Sequence, residues 1–262
     1  MAALALLALA LFAGSASSAP QIGRIVGGSP TTIDKYPSVV QVEFQEVFTG
    51  TWSQSCAANI LTTRYVLSTA YCFFGIHYEP ERRRIRAGTT IRNTGGVIRY
   101  VVVAYNHPTY SISPKDGDIS VVLLNEPLVY SPVIQQATIL AQGATIPDNM
   151  PVVHVGWGAT EFGGSSSSIL LDTTIFTVNR ELCRQRYATH PIGWVVTENM
   201  ICAGILDVGG KDSCVGDAGG PMYYGNILVG IISWGEGCAG PYYPGVSTRI
   251  ASYTDWIVSV AI

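Results

Sequence analysis

Apolar side chains recur with period two, or run on unbroken, at Ser38–Phe44, Tyr65–Thr69, Arg99–Ala104, Ile119–Leu124, Pro151–Val155, Ile169–Val178, Leu228–Ser233 and Gly245–Thr248. Alternation sets one face of a strand against a core, whereas a short unbroken run fits a strand buried on both faces. Turn residues separate these segments, as in Asn93-Thr94-Gly95-Gly96. Glu161–Ser168 holds two glycines followed by four serines, which predicts a mobile surface loop. Only the tail has helical spacing: Ile250, Tyr253, Trp256, Ile257 and Val260 share one face. Many short strands at regular turn spacing predict an all-β protein, barrel or sandwich, closed by a C-terminal helix.

The first residues follow a different pattern. Met1–Ala19 carries no charged side chain, and its apolar run Ala2–Ala13 leads into small residues from Gly14 to Ala19. Such a run is too short to span a bilayer and reads as a secretory signal cut between Ala16 and Ala19, although its start lacks the usual Lys or Arg. The alternative, a short buried helix, accounts less well for the small residues that follow. The expected division is a signal peptide at 1–19, an activation propeptide at 20–24 and a mature domain at 25–262.

Composition narrows the class. Of 262 residues, 48% are hydrophobic and only 13% charged, and the formal charge is −3; a disordered chain and a nucleic-acid binder are both excluded. No later segment is long and apolar enough to anchor the chain, so a secreted protein with no membrane or nucleic-acid partner is expected. Twelve of the fifteen basic residues are Arg. Arg keeps its charge at alkaline pH where Lys begins to lose it, so the bias suits an alkaline gut lumen; lineage composition explains it equally well.

Export makes the six cysteines, Cys56, Cys72, Cys183, Cys202, Cys214 and Cys238, readable as disulfides. Six cysteines allow fifteen connectivities, and spacing alone does not choose. A metal site lacks the paired Cys or His spacings that zinc requires, so neither a metal nor a cofactor is expected.

Five motifs carry identity: Arg24-Ile25-Val26-Gly27-Gly28, Leu67-Ser68-Thr69-Ala70-Tyr71-Cys72, Asp118-Ile119-Ser120-Val121-Val122-Leu123, Lys211-Asp212-Ser213-Cys214-Val215-Gly216-Asp217-Ala218-Gly219-Gly220-Pro221 and Ser233-Trp234-Gly235. In this order they resemble the trypsin-like branch of the chymotrypsin family, over nearly the whole chain from Ile25 to Ile262. The style resembles digestive trypsins of Lepidoptera. The resemblance implies two packed six-stranded antiparallel β-barrels, divided at about 130–140, with the active cleft between them. It implies the pairings Cys56–Cys72, Cys183–Cys202 and Cys214–Cys238, each worth about 3 kcal/mol in the chain-entropy picture. It implies that Asp212 attracts an Arg or Lys side chain in a pocket with Ser213, Gly235 and Gly245. Backbone N–H groups of Gly216 and Ala218 would form the oxyanion hole, and Ser233, Trp234 and Gly235 would pair with an extended peptide. A trypsin-like protease cutting after Arg24 would free the Ile25 amine to pair with Asp217.

Two positions depart from the family. Where it has the His of a Thr-Ala-Ala-His-Cys motif stands Tyr71, and where it has the Ser of Gly-Asp-Ser-Gly-Gly-Pro stands Ala218; Asp118 alone keeps its triad identity. Acyl transfer by that route uses a hydroxyl to attack and an imidazole to take its proton. A methyl group does not attack, and a phenol is a poor base at neutral pH. His77, His107, His154 and His190 read as surface or structural residues. The expected function is therefore a non-catalytic, monomeric protease homologue that binds basic peptides or proteinaceous protease inhibitors. The alternative is a trypsin-like serine endopeptidase cleaving after Arg or Lys.

Overall fold

A computed structural model describes residues 25–75 and 78–262. The signal and propeptide residues, with Arg24 and His77, lie outside the described residues. Fourteen strands follow one another: β1 (Ser29–Pro30), β2 (Val39–Gln45), β3 (Trp52–Ile60), β4 (Tyr65–Ser68), β5 (Arg83–Ala87), β6 (Val97–Asn106), β7 (Ser120–Leu124), β8 (Thr138–Ile139), β9 (Pro151–Gly156), β10 (Leu171–Val178), β11 (Met200–Gly204), β12 (Pro221–Tyr224), β13 (Ile227–Trp234) and β14 (Gly245–Arg249). Two helices join them, α1 (Arg180–Ala188) and α2 (Thr254–Val260).

Six strands, in the order β2-β3-β4-β7-β6-β5, close one antiparallel barrel. The order β10-β11-β14-β13-β12-β9, with β9 returning to β10, closes the second; β1 and β8 attach to it. The expected pair of six-stranded barrels with a C-terminal helix is present. Residue parity divides the apolar side chains between two destinations. Val40, Val42, Ala58, Ile60, Val66, Ile85, Val122 and Leu124 fill the first barrel. Their neighbours Val39, Leu67 and Val121 point the other way and pack with Val155, Trp157, Leu228, Ile231 and Ile257 between the barrels and beneath α2. Both faces of these strands are therefore buried, which is why they read as unbroken runs. Val152, Ile175, Ala203, Met222 and Val229 form the core of the second barrel.

Six strands and one helix escape the hydrophobic pattern, among them β1 and β8, each only two residues long. In β5, Arg83-Arg84-Ile85-Arg86 resembles a solvated turn, yet the side chain of Glu43 on β2 is fully buried and pairs with both Arg84 (2.5 Å) and Arg86. The guanidinium of Arg83 lies 3.7 Å from the Phe44 ring centroid. Strand pairing neutralises these charges, which a one-dimensional pattern does not register. Strands β3 and β11 hide their register behind polar, Cys and Gly residues, and the four residues of β12 are too few to show a period. The nine residues of α1 correct the expectation that only the tail is helical. Asn179 caps it, accepting from Leu182 N–H at 3.1 Å, and its buried anchors are only Cys183 and Tyr187, too few for a visible stripe.

The tail turns first through a 3-10 helix, Ile250–Ser252, before α2 begins. The Glu161–Ser168 loop is held at its far end: Ala159 bridges to Ser166, and buried Ser167 donates its N–H to Trp157 O at 3.0 Å. Disulfides join Cys56–Cys72, Cys183–Cys202 and Cys214–Cys238, the three pairings expected.

Candidate active site

A cavity of about 330 Å³ opens between the barrels and is lined from both. Tyr71 enters it from a 3-10 turn, Ala70–Phe73, that follows β4. Its main-chain N–H donates to Asp118 Oδ1 at 2.8 Å, while its ring is turned outward, 64% exposed. Asp118 stands just before β7. Its second oxygen accepts from Ser233 Oγ at 2.5 Å, and its carbonyl accepts from Thr248 Oγ1 at 2.7 Å. Burial pushes the Asp118 carboxyl up, while Ser233, the Tyr71 N–H and the Lys115 charge pull it back.

Ala218 lies on the tight loop between Cys214 and β12. Its carbonyl accepts from Ala57 N–H at 2.8 Å, and the neighbouring Gly219 carbonyl accepts from Asn59 Nδ2 at 3.0 Å. Both bonds tie the loop of the second barrel to β3 of the first. Gly219 requires a glycine, since at φ +84° an added Cβ would lie 2.1 Å from Ala57 O. Among the described residues no protein acceptor takes the N–H of Gly216 or Ala218, leaving both donors free for an incoming oxygen.

The cavity floor is Asp212, 6% exposed. Its carboxylate accepts from Ser213 N–H at 2.8 Å and Ala239 N–H at 3.3 Å, and burial lifts it to about 7. A Cβ on Gly245 would come within 2.9 Å of Asp212 Oδ1, and one on Gly235 within 3.7 Å of Gly245 Cα; larger residues there would close the access. One wall is a strand edge. Pairing of β12 with β13 ends at Pro221↔Ile231, so Ser233, Trp234 and Gly235 keep β14 on one side and face the cleft on the other. An extended peptide can add there as a further strand.

Asp217 is fully buried behind this wall and accepts from Gly158 N–H at 2.7 Å and Cys214 N–H at 2.9 Å. Burial raises it to about 6. Any Cβ on Gly156 or Gly158 would strike its carboxyl, at 2.0 and 2.4 Å, which explains the glycines flanking Trp157. Ile25 is fully buried as well.

The histidines stand away from Asp118. His107 packs its ring against Tyr253 and Trp256, His190 stacks on Trp194 and lies 3.2 Å from Glu236, and His154 is buried in the second barrel. Sequence reasoning missed Tyr110, Lys115, Phe162 and Val215, which line the same cavity. They lie on loops, where no periodicity marks them. Among the described residues no group of three His, Cys, Asp or Glu side chains is arranged to hold a metal, and no helix is long and apolar enough to cross a membrane.

Two closed barrels, a cleft at their seam and an acid-floored pocket define the class of trypsin-like serine proteases. The Trypsin family model matches residues 25–257, and the chain belongs to that family. It is 43% identical over 255 residues to "Trypsin, alkaline C" of Manduca sexta, covering 97% of both chains. To "Trypsin CFT-1" of Choristoneura fumiferana it is 41% identical over 254 residues, again 97% of both, and to "Trypsin, alkaline A" of Manduca sexta 42% over 255 residues. These relatives overturn the expectation of a non-catalytic homologue. Full-length similarity runs to proteins named as trypsins, and it favours the endopeptidase alternative over a reading drawn from Tyr71 and Ala218 alone.

Proposed function

We propose that this chain is a secreted trypsin-type serine endopeptidase directed to peptide bonds after Arg or Lys, in a setting such as the gut lumen. The observation that carries the specificity is Asp212, a buried carboxylate at the floor of a pocket kept open by Gly235 and Gly245. Ser213 helps hold that carboxylate. The free edge at Ser233–Gly235 aligns the peptide, and the N–H groups of Gly216 and Ala218 receive the carbonyl oxygen. Asp118, held by Ser233 and the Tyr71 N–H, is the acid of the catalytic group. The names of the full-length relatives support turnover.

Residues 1–19 are proposed as the signal and 20–24 as the propeptide. A trypsin-like protease would cut after Arg24, and the freed Ile25 amine would pair with Asp217. The chain would act as a monomer, with basic peptide segments and proteinaceous inhibitors as its ligands.

The attacking hydroxyl and its proton acceptor are the groups at which this sequence carries Ala218 and Tyr71, so turnover itself is the test. The protein cut after Arg24 is assayed on an arginine amide substrate beside Tyr71→His/Ala218→Ser and Asp212→Ser. Hydrolysis by the unaltered chain that disappears in Asp212→Ser supports the proposal. Hydrolysis by the double variant alone overturns it.

A further inference from the structure

His154 sits on β9 with its side chain inside the second barrel, 1% exposed. Among the described residues neither ring nitrogen has a hydrogen-bond partner, nor does Thr173 Oγ1, and Thr173 is its cross-strand neighbour on β10. Imidazole Nδ1 lies 3.9 Å from Asp212 Oδ1. That separation is too long for a hydrogen bond but places the two groups face to face, and among the described residues no other group bonds to the nitrogen. A buried imidazole with both nitrogens idle is costly in a barrel core, where an aliphatic side chain would pack without loss. Its position against the pocket floor offers the reason for it.

We propose that His154 is the proton partner of Asp212: in the empty pocket the pair holds one proton, and an entering basic side chain expels it. This deepens the proposed function and rests on Asp212 being the acceptor for Arg or Lys. His154 does not line the cleft, so it is a positioning residue that acts through Asp212. The balance is simple. The singly protonated pair plus a guanidinium gives a carboxylate–guanidinium pair, a neutral imidazole and one proton released to solvent.

The surroundings favour this exchange. Burial depresses His154 to about 3 and lifts Asp212 to about 7, so a neutral imidazole beside a protonated carboxyl is the favoured arrangement below neutrality. The groups facing Asp212 are Ser213 and Ala239 through their N–H groups, Asp217 as a like charge and the Tyr187 hydroxyl from α1. Facing His154 are Thr173 from β10 and Met222 from β12, both uncharged. None of these supplies a cation, so the positive charge that balances Asp212 comes either as a proton or as the ligand.

Calorimetric binding of benzamidine, an amidinium probe, to the full chain between pH 5 and 9 tests this. Affinity should fall about tenfold per pH unit on the acid side and level off on the alkaline side. One proton should be released per molecule bound at acid pH, read from buffers of different ionisation enthalpy. In His154→Gln the midpoint should move by a unit or more while affinity at pH 9 stays within twofold. Ring nitrogen resonances of His154 in the unaltered protein should shift on benzamidine addition at pH 6, which decides the matter even where the variant folds poorly. A His154→Gln profile superimposed on the original, or silent ring resonances, overturns the proton partnership. Equal binding by Asp212→Asn instead removes the reading of Asp212 on which it stands.

Discussion

The main-chain N–H of Tyr71 donates to Asp118 Oδ1 at 2.8 Å, although the Tyr71 ring itself points to solvent. The backbone of the turn after β4 therefore holds Asp118 whatever side chain stands at 71. Ser233 and Thr248 complete the clamp from the second barrel. Replacing Asp118 by Ala leaves two part-buried donors, the Tyr71 N–H and the Ser233 hydroxyl, without that acceptor, and a loss of about 1–2 kcal/mol in urea unfolding is expected. Tyr71→Ala keeps the N–H and should leave stability within about 0.5 kcal/mol.

The pocket wall gives a second expectation. In Gly245→Ala the added methyl crowds Asp212 Oδ1, so benzamidine affinity should fall at least tenfold, about 1.4 kcal/mol. Thermal unfolding should hardly change, because the methyl enters the cleft rather than the core. An unchanged affinity would mean that the wall opposite Asp212 yields.

Asp217 links pH to the proposed cut after Arg24. Burial raises this carboxyl to about 6, above its ordinary value near 3.9. With the folded value higher, the folded state binds the proton more tightly. The stability that this gives is complete below about pH 4 and is lost as pH rises towards 6. A freed Ile25 amine would compensate only the ionised form. The gain in melting temperature on cutting should therefore be larger at pH 7 than at pH 4.5, and an equal gain at both would argue against the pairing.

The buried Glu43 sits between Arg84 and Arg86. Glu43→Ala strands two largely buried guanidinium groups, and a loss of about 3–5 kcal/mol is expected. Glu43→Gln, which keeps one acceptor oxygen, should cost less. Chemical denaturation of the two variants measures the difference.

How much of this was legible depends on where each residue's partner lies. Val40 and Val42 announce β2 because the core they meet is apolar. Arg84 and Arg86 conceal β5 because their partner is Glu43, forty-odd residues earlier, and no local pattern carries that pairing. Motifs single out Asp118, Asp212 and Asp217, and the structure brings the first two into one cavity. Tyr71 and Ala218 alone point to a chain without catalysis, and full-length likeness to named trypsins overturns that conclusion. Lys115 and Phe162 reach the cavity from loops. The nearness of His154 to Asp212 arises only when β9 is laid beside the loop that ends at Cys214.

The opposite parities of Val40 and Val39, or of Val66 and Leu67, mean that each half of the chain carries a greasy outer coat meant for the other. Produced as separate fragments, the halves would cling to chaperones or to one another. A gene encoding only residues through β7 would yield an adhesive intermediate rather than a miniature version of this protein.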